Sequence, residues 1–594
     1  MLRTGVGAAS QLGLFPKTGD AASVAEVRAG IRDAADGTPE RLRPALARSF
    51  CARAMARYWE LRHARRGRVL RPFPEATKLR ASAEAPAVAL ADLAATLPVD
   101  QAAYLIGSAY AAILPQDVRA RQGVFYTPPP LVERLMDQAA AAGVDWATAH
   151  VLDPACGGGA FLGPVASRMC GALARCDRRV VVRNVAARLR GIEIDGFAAW
   201  LSHVFLEATL YELLGGSRID TSPCLDVADA LSRPEPGSFD LVIGNPPYGR
   251  VALSAAQRET FRRGLYGHAN LYGVFLDLGI RKAKLGGVVA YVTPTSFLGG
   301  EYFKNLRALL SAEANPVSLD LVQERSGVFD GVLQETLLTV CRRGEAARSP
   351  VLHFVEAQEQ AARYEHVGRV ELPAGGDAPW ILPRAKANVA LAQRLRSMPA
   401  RLKDWGYRVS TGPLVWNRHK DQLRSRADGG AVPLIWAESI GTDGIFGFRA
   451  TRRNHAPYFA PKKQDGWLLV REPCVLVQRT TSKEQPRRLI AAELPRAFLD
   501  QHPAVTVENH INMLVAEGSP AIDTRTLAAF LNSSAADQAF RCLSGSVAVS
   551  AYELEALPLP SVEAARGVTT LLEGGASRIE IERAWTRLYD QGHG

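Results

Sequence analysis

The chain has 594 residues, of which 47% are hydrophobic and 22% charged, a composition that fits about two to four globular domains. Lysine and arginine outnumber aspartate and glutamate by 71 to 60, and this excess favours an anionic partner such as nucleic acid, although a basic surface alone would give the same charge. No apolar run reaches the roughly 20 residues of a membrane span, and the N-terminus lacks a signal-peptide pattern. We therefore expect a cytoplasmic protein without a membrane segment.

The eight cysteines include no C-x-x-C pair, so the sequence predicts neither a zinc site nor a disulfide framework. Cys170 and Cys176 are the closest pair, and no histidine flanks them. Reduced thiols in a cytosolic protein are the simpler interpretation. We expect no metal ion.

The first part of the chain is predicted to be helical. Residues 20–115 are rich in alanine, arginine, leucine and glutamate, and strand-like alternation is scarce. A proline-rich segment, Thr127-Pro128-Pro129-Pro130, separates this region from a further predicted helix in LVERLMDQAAAAG.

The pattern of residue types changes twice after that helix. Between residues 148 and 345, short apolar runs such as HVLDPACGGGAF, RLRGIEID, FDLVIGNPPY and GGVVAYVTPTSF alternate with helical stretches. This alternation is typical of βαβ units and predicts a parallel sheet covered by helices on both faces. Beyond residue 385, tryptophans, glycines and prolines separate short strand-like pieces, which predicts a mixed or β-rich module.

A glycine-rich turn follows the first of these predicted strands. Gly157, Gly158 and Gly159 would let the backbone approach a ligand closely, and the helix that follows would offer unpaired N–H groups. Tight packing of strand against helix would favour the same glycines. The next predicted strand ends at Glu193, where a carboxylate can bind both hydroxyls of a ribose. These two features alone would equally fit a dinucleotide.

The tetrapeptide Asn245-Pro246-Pro247-Tyr248 follows a buried-strand pattern, so we expect it at the carboxyl end of a strand, where open α/β sheets bind ligands. An exocyclic amine on a purine is a poor nucleophile because its lone pair is delocalised into the ring. The Asn245 side-chain oxygen and the Pro246 carbonyl can each accept one amino hydrogen, which localises that lone pair. The prolines rigidify the turn, and the Tyr248 ring can stack on a base.

Together these motifs resemble the gamma-type DNA adenine N6-methyltransferases, the architecture of type II modification enzymes. The resemblance is clear over residues 120–345, where GVFYTPPPLV precedes the glycine-rich turn and GHANLYGVFLDLGIRKAKLGGVVAYVTPTSFL follows the tetrapeptide. It implies an α/β fold: a Rossmann-like class I methyltransferase domain with a helical N-terminal region and a mixed α+β C-terminal target-recognition domain. The implied boundaries are 1–119, 120–380 and 381–594.

The resemblance also implies the cofactor, S-adenosyl-L-methionine, and the residues of the site. Thr127 would contact the methionine part of the cofactor, and Asp229 in LDVADAL would contact the adenine amino group. The full implied cofactor set is Thr127, Asp153, Ala155, Gly157, Glu193, Ile194, Asp229 and Asn245. The implied catalytic set is Asn245, Pro246, Tyr248 and Phe329, the last packing against a flipped target base or, alternatively, serving as a core or loop aromatic.

Double-stranded DNA is the implied partner, with the target base rotated out of the duplex stack. A basic cluster in VLVQRTTSKEQPRRL is predicted to contact phosphates, with a solvated loop as the alternative; it contains Arg479, Lys483, Arg487 and Arg488. We expect a monomer in the prokaryotic cytoplasm, associated with the nucleoid, and a cognate restriction endonuclease encoded nearby.

Three other functions fit part of the pattern. Protein methyltransferases acting on glutamine amides and RNA base methyltransferases share the tetrapeptide, but the former are much shorter and the latter usually carry a recognisable RNA-binding domain. A catalytically silent DNA-binding subunit would not need Asn245, Tyr248 and Glu193 together. A fused nuclease would need an acidic pair followed by E-x-K, and EATK at 75–78 has the wrong spacing.

Overall fold

The structure is a computed structural model that describes residues 21–63, 69–122, 126–213, 221–323, 335–357, 361–480, 487–544 and 548–590. Within these ranges, none of the helices combines the length and apolar character needed to cross a bilayer.

The helices in chain order are α1 Ala21–Asp36, α2 Arg43–His63, α3 Ala81–Ala94, α4 Val99–Ile113, α5 Gln116–Gln122, α6 Pro129–Ala141, α7 Leu162–Ala172, α8 Arg178–Arg188, α9 Gly196–Leu213, α10 Ala255–Thr260, α11 Leu271–Lys282, α12 Ser296–Gly299, α13 Lys304–Glu313, α14 Val389–Ser397, α15 Arg496–Gln501, α16 Thr524–Leu531, α17 Ser534–Leu543, α18 Ala551–Glu555, α19 Val562–Glu573 and α20 Arg578–Asp590.

The strands are β1 Val151–Asp153, β2 Leu189–Glu193, β3 Leu225–Val227, β4 Phe239–Gly244, β5 Arg250–Val251, β6 Ala269–Asn270, β7 Ala283–Pro294, β8 Pro316–Val322, β9 Thr336–Arg342, β10 Val351–Ala357, β11 Ala362–Arg369, β12 Tyr407–Thr411, β13 Leu423–Arg424, β14 Val432–Ile435, β15 Tyr458–Phe459, β16 Leu469–Val470, β17 Cys474–Gln478, β18 Ala491–Leu494, β19 Val505–Val507 and β20 Ile511–Ala516.

The chain forms two compact units. The first comprises residues 1–294 and 302–377, and the second comprises residues 295–301 and 378–594. In the first unit, helices α1 to α4 form the helical N-terminal region that the composition predicts, with a core of its own that also includes apolar residues of α9. The second unit is mixed α+β, as predicted: it contains a four-stranded sheet in the order β12-β20-β17-β18 and a five-stranded sheet in the order β13-β15-β14-β19-β16.

A nine-stranded sheet dominates the first unit, in the order β11-β10-β8-β9-β7-β4-β1-β2-β3. Its five strands from β7 to β3 run parallel to one another, which confirms the Rossmann-like α/β fold. β1 is buried throughout, as its continuous apolar run predicts for a sheet covered on both faces. The sheet departs from the purely parallel prediction at β9, which runs antiparallel between β7 and β8.

A buried ion pair links α6 to β8. The Arg134 Nε donates to the Asp320 Oδ2 over 2.6 Å, and the Nδ1 of His353 lies 2.8 Å from the other carboxylate oxygen. The guanidinium also lies 3.7 Å above the ring of Tyr364. Asp320 is 0% exposed, so the pair depends on these contacts rather than on water.

Replacing Asp320 tests how much this pair stabilises the first unit. Asp320→Ala should lower the free energy of unfolding by about 3–5 kcal/mol, because it leaves a buried guanidinium without its anion. Glu133→Ala, which removes a surface partner of Arg168, should cost no more than about 1 kcal/mol. Urea denaturation measures both, and equal losses in the two variants would contradict the interpretation.

Candidate active site

A cavity of about 490 Å³ lies at the carboxyl ends of β1, β2, β3 and β4, within the volume range of small-molecule sites. It brings together segments that are far apart in the sequence. Of the residues predicted to bind a cofactor, those that line it are Thr127, Ala155, Gly157, Glu193, Ile194, Asp229 and Asn245. Pro247 of the tetrapeptide lines it as well.

The three glycines of the turn after β1 have different roles. Gly157 has φ +52° and lies against open space, so it suits a backbone that faces a ligand. A Cβ on Gly158 would lie 2.6 Å from Cε1 of the Tyr126 ring. Gly159 has φ +88°, and a Cβ there would lie 2.8 Å from the Ser202 Oγ. Close packing therefore constrains Gly158 and Gly159, and Gly158 also lines the cavity.

Glu193 connects the end of β2 to the glycine-rich turn by a hydrogen bond. Its Oε2 accepts the N–H of Gly157 over 2.8 Å, and its Oε1 accepts the N–H of Asp195 over 2.9 Å. Burial raises the pKa of this carboxyl above its ordinary value. The side chain thus lines the cavity in an orientation set by two backbone donors.

Asp153, for which a cofactor contact is predicted, is not among the residues that line the cavity. The residue is 1% exposed, and its Oδ1 accepts the N–H of Ala155 over 3.1 Å. A Cβ on Gly244 would lie 2.6 Å from the same oxygen, so the carboxyl packs against the backbone that leads into Asn245. Its place is beneath the site, where it shapes the two turns above it.

The side-chain amide of Asn245 is held at both ends. Its Nδ2 donates to the Thr127 Oγ1 over 3.1 Å, and its Oδ1 accepts the hydroxyl of Tyr248 over 2.8 Å. The Tyr248 hydroxyl also lies 3.3 Å from the carbonyl oxygen of Val292. The amide oxygen has two lone pairs, so one remains for a further donor.

The Tyr248 ring is half-buried and meets the ring of Tyr272 edge to face, with centroids 6.0 Å apart. Burial raises the pKa of the Tyr248 phenol, which keeps the hydroxyl protonated and able to donate to Asn245. Pro246 is buried in the same turn. Phe329, the fourth predicted catalytic residue, lies outside the described residues.

Sequence reasoning missed several residues that line the cavity. Tyr126 directly precedes Thr127, and Asp195 lies just after the strand that ends at Glu193. Phe275 lies in a segment that only the family resemblance indicated. Leu271, at the start of α11, also lines the cavity. The position of Tyr126 directly before Thr127 was the available signal in the sequence. The orientation of its ring, however, depends on packing against α4.

The predicted phosphate contacts belong to the second unit. Arg479 donates from Nη1 to the Asn509 carbonyl over 3.1 Å. Arg488 is 3% exposed, with its backbone N–H bonded to the Asp537 carboxylate, and this burial does not fit a phosphate contact. Arg487 is half-buried at the edge of a cavity, while Lys483 lies outside the described residues.

The buried carboxyl of Asp153 predicts a pH-dependent stability. Burial raises its pKa from 3.8 to about 8. The carboxyl therefore contributes its full stabilisation below pH 3.8, and this stabilisation is lost as the pH rises through about 8. Asp153→Asn stays neutral and keeps an acceptor for Ala155. Its free energy of unfolding relative to the parent should therefore increase from pH 5 to pH 8, by at most about 1.4 kcal/mol per pH unit. A difference that urea denaturation shows to be independent of pH would refute this.

Comparison with known proteins found similar sequences and a similar solved structure. Residues 205–329 match the family model described as Eco57I restriction-modification methylase. The type II methyltransferase M.PstI of Providencia stuartii is 27% identical over 349 residues, which are 57% of this chain and 68% of that protein. M.BsuBI of Bacillus subtilis is 27% identical over 331 residues, which are 54% of this chain and 65% of that protein.

The match thus spans about two thirds of the length of these two relatives. A solved structure of the type IIL restriction-modification enzyme MmeI in complex with DNA shares the fold, with a TM-score of 0.50 and 13% identity, over 98% of this chain and 96% of that one. Residues 205–329 are therefore similar to the Eco57I restriction-modification methylases, and the chain shares its fold with MmeI.

Proposed function

We propose that this chain is a site-specific DNA methyltransferase that uses S-adenosyl-L-methionine to methylate the exocyclic N6 amino group of adenine in duplex DNA. The observation that carries the proposal is the Asn245 amide, oriented by Thr127 and Tyr248 at the cavity that Glu193 lines. Similarity to type II methyltransferases supports the class of reaction.

The residues of the cavity suit this cofactor. The Glu193 carboxylate matches the ribose hydroxyls, and Ile194, 67% exposed, gives an apolar surface for the adenine ring. Asp229 lines the cavity where an acceptor for the adenine amino group is needed, and Gly157 leaves space for the methionine part beside Thr127. When bound, the cofactor supplies a methyl group activated by its sulfonium.

The tetrapeptide acts on the target amine. Asn245 accepts one amino hydrogen through the remaining lone pair of Oδ1, and the Pro246 carbonyl accepts the other. These two bonds pull the nitrogen toward tetrahedral geometry and direct its lone pair into the cavity. Neither proline has an N–H that would compete for these acceptors, and rigid positioning of the amine supplies much of the rate.

The proposal includes a flipped adenine, since the amino group of a stacked base cannot reach this cavity. Tyr248 and Phe329 would stack on that base. The second unit would read the target sequence, with Arg479, Lys483 and Arg487 contacting phosphates. We further propose that the enzyme acts as a monomer in the cytoplasm, bound to the nucleoid, and that it protects DNA from a cognate endonuclease encoded nearby.

Asn245→Ala is the direct test of the proposed chemistry. Loss of one preorganised contact to the reacting group should reduce the methyl-transfer rate by about 10²–10³-fold. Cofactor binding should survive, because the glycine turn and Glu193 are unchanged. Labelled methyl transfer to DNA amplified by PCR from bacterial genomes, together with calorimetric cofactor binding, measures both quantities.

The control for this experiment is Asn184→Ala on α8, which makes the same chemical change at a residue that does not line the cavity. It should retain the parental rate. Turnover by Asn245→Ala equal to that of Asn184→Ala would reject the assigned role, and an absence of transfer by the parent chain to any DNA would reject the proposed function.

A further inference from the structure

The ring of Tyr126 is wedged between two glycines from different parts of the first unit. A Cβ on Gly107, in the middle of α4, would lie 2.1 Å from its Cε1, and a Cβ on Gly158, in the cofactor turn, would lie 2.6 Å from the same atom. Both distances are well below van der Waals contact, so the ring lies directly on two backbones. Tyr126 packs against the core of the helical N-terminal region and also lines the cavity.

Tyr126 makes this contact by the packing of its ring and not by a hydrogen bond of its hydroxyl. Its hydroxyl is buried and has no hydrogen-bond partner among the described residues. It lies 2.7 Å from the position that a Cβ on Gly158 would take. The ring therefore fills space between α4 and the turn.

One residue separates this wedge from the catalytic amide. Thr127 follows Tyr126 directly, and its Oγ1 accepts the Asn245 Nδ2. Residues 126–128 belong to neither a helix nor a strand, so no ladder of backbone hydrogen bonds fixes Thr127. Thr127 is 2% exposed, so its position depends on side-chain packing, to which the preceding ring contributes, and on its bond to Asn245.

We propose that Tyr126, inserted into a notch that Gly107 leaves in α4, is a positioning residue that holds both the glycine-rich turn and Thr127. The helical N-terminal region is then part of the cofactor site rather than an independent module. This inference rests on the proposed function, since it concerns affinity for S-adenosyl-L-methionine.

The test is a double-mutant cycle on the full chain, with calorimetric binding of S-adenosyl-L-methionine and steady-state kinetics as readouts. Gly107→Ala should displace the ring and weaken cofactor binding at least tenfold. It should raise the cofactor KM by a similar factor while the KM for DNA stays within twofold. Tyr126→Leu should also weaken binding, but adding Gly107→Ala to it should cost less than threefold, because the smaller side chain leaves room for the methyl group.

Two further variants separate positioning from general loss of structure. Gly171→Ala, at a helical glycine of α7 with nothing near its would-be Cβ, should bind the cofactor like the parent. Tyr126→Phe, which keeps the ring, should recover most of the affinity that Tyr126→Leu loses. If Gly107→Ala does not fold, the inference is tested by comparing the cofactor affinity of Tyr126→Leu with that of the double variant and with that of Tyr126→Phe.

Cofactor affinity within twofold of the parent in folded Gly107→Ala, or effects that simply multiply in the double variant, would overturn the inference and leave the proposed function standing. A parent chain that binds no S-adenosyl-L-methionine would instead overturn the proposed function, and this inference with it.

Discussion

The proposed chemistry depends on one side-chain amide, that of Asn245, which is bonded at both ends. The Asn245 nitrogen donates to Thr127 and its oxygen accepts from Tyr248, so two hydroxyls fix the plane of the amide. Each such bond contributes only about 0.5–1.5 kcal/mol of net stability. Their importance lies in orientation, because a rotated amide would present N–H groups to an amine and repel it instead of accepting its hydrogens.

The sheet explains how these partners meet. β1 pairs with β2 on one side and with β4 on the other, so the order of the strands reverses beside β1. Open α/β sheets form a crevice at such a point, on the side of the strand carboxyl ends. The glycine-rich turn leaves β1 there, Glu193 ends β2, and Asn245 follows β4. Asp153 lies under the same crevice and packs against both turns, which accounts for a carboxyl that burial keeps from ionising at its ordinary pKa.

Local patterns in the sequence were enough to predict the framework. Continuous apolar runs indicated β1 and β4, motifs at the ends of strands identified Glu193 and Asn245, and the family resemblance identified Thr127; the structure brings these three residues to one cavity. Burial and long-range packing could not be predicted in the same way. The carboxyl of Asp153 gives no sign in its own segment that it lies beneath the cavity, and Arg488 resembles its neighbour Arg487 in sequence although only Arg488 is buried.

The same limit applies to the contact of Tyr126 with Gly107, because nothing in either segment indicates that α4 has a notch for an aromatic ring. The antiparallel direction of β9 is likewise set by its pairing with two distant strands. The roles of Phe329 and Lys483 stay predictions, since both residues lie outside the described ranges.

The most direct test of the central claim is to identify the modified nucleoside. The chain would be expressed in a bacterial host that lacks DNA methyltransferases of its own, and the host DNA would be digested to nucleosides and analysed by mass spectrometry. An amide and a proline carbonyl that grip an exocyclic amine of adenine predict N6-methyldeoxyadenosine. A methyl group on a ring carbon of cytosine, or DNA that carries no added methyl group, would contradict the account.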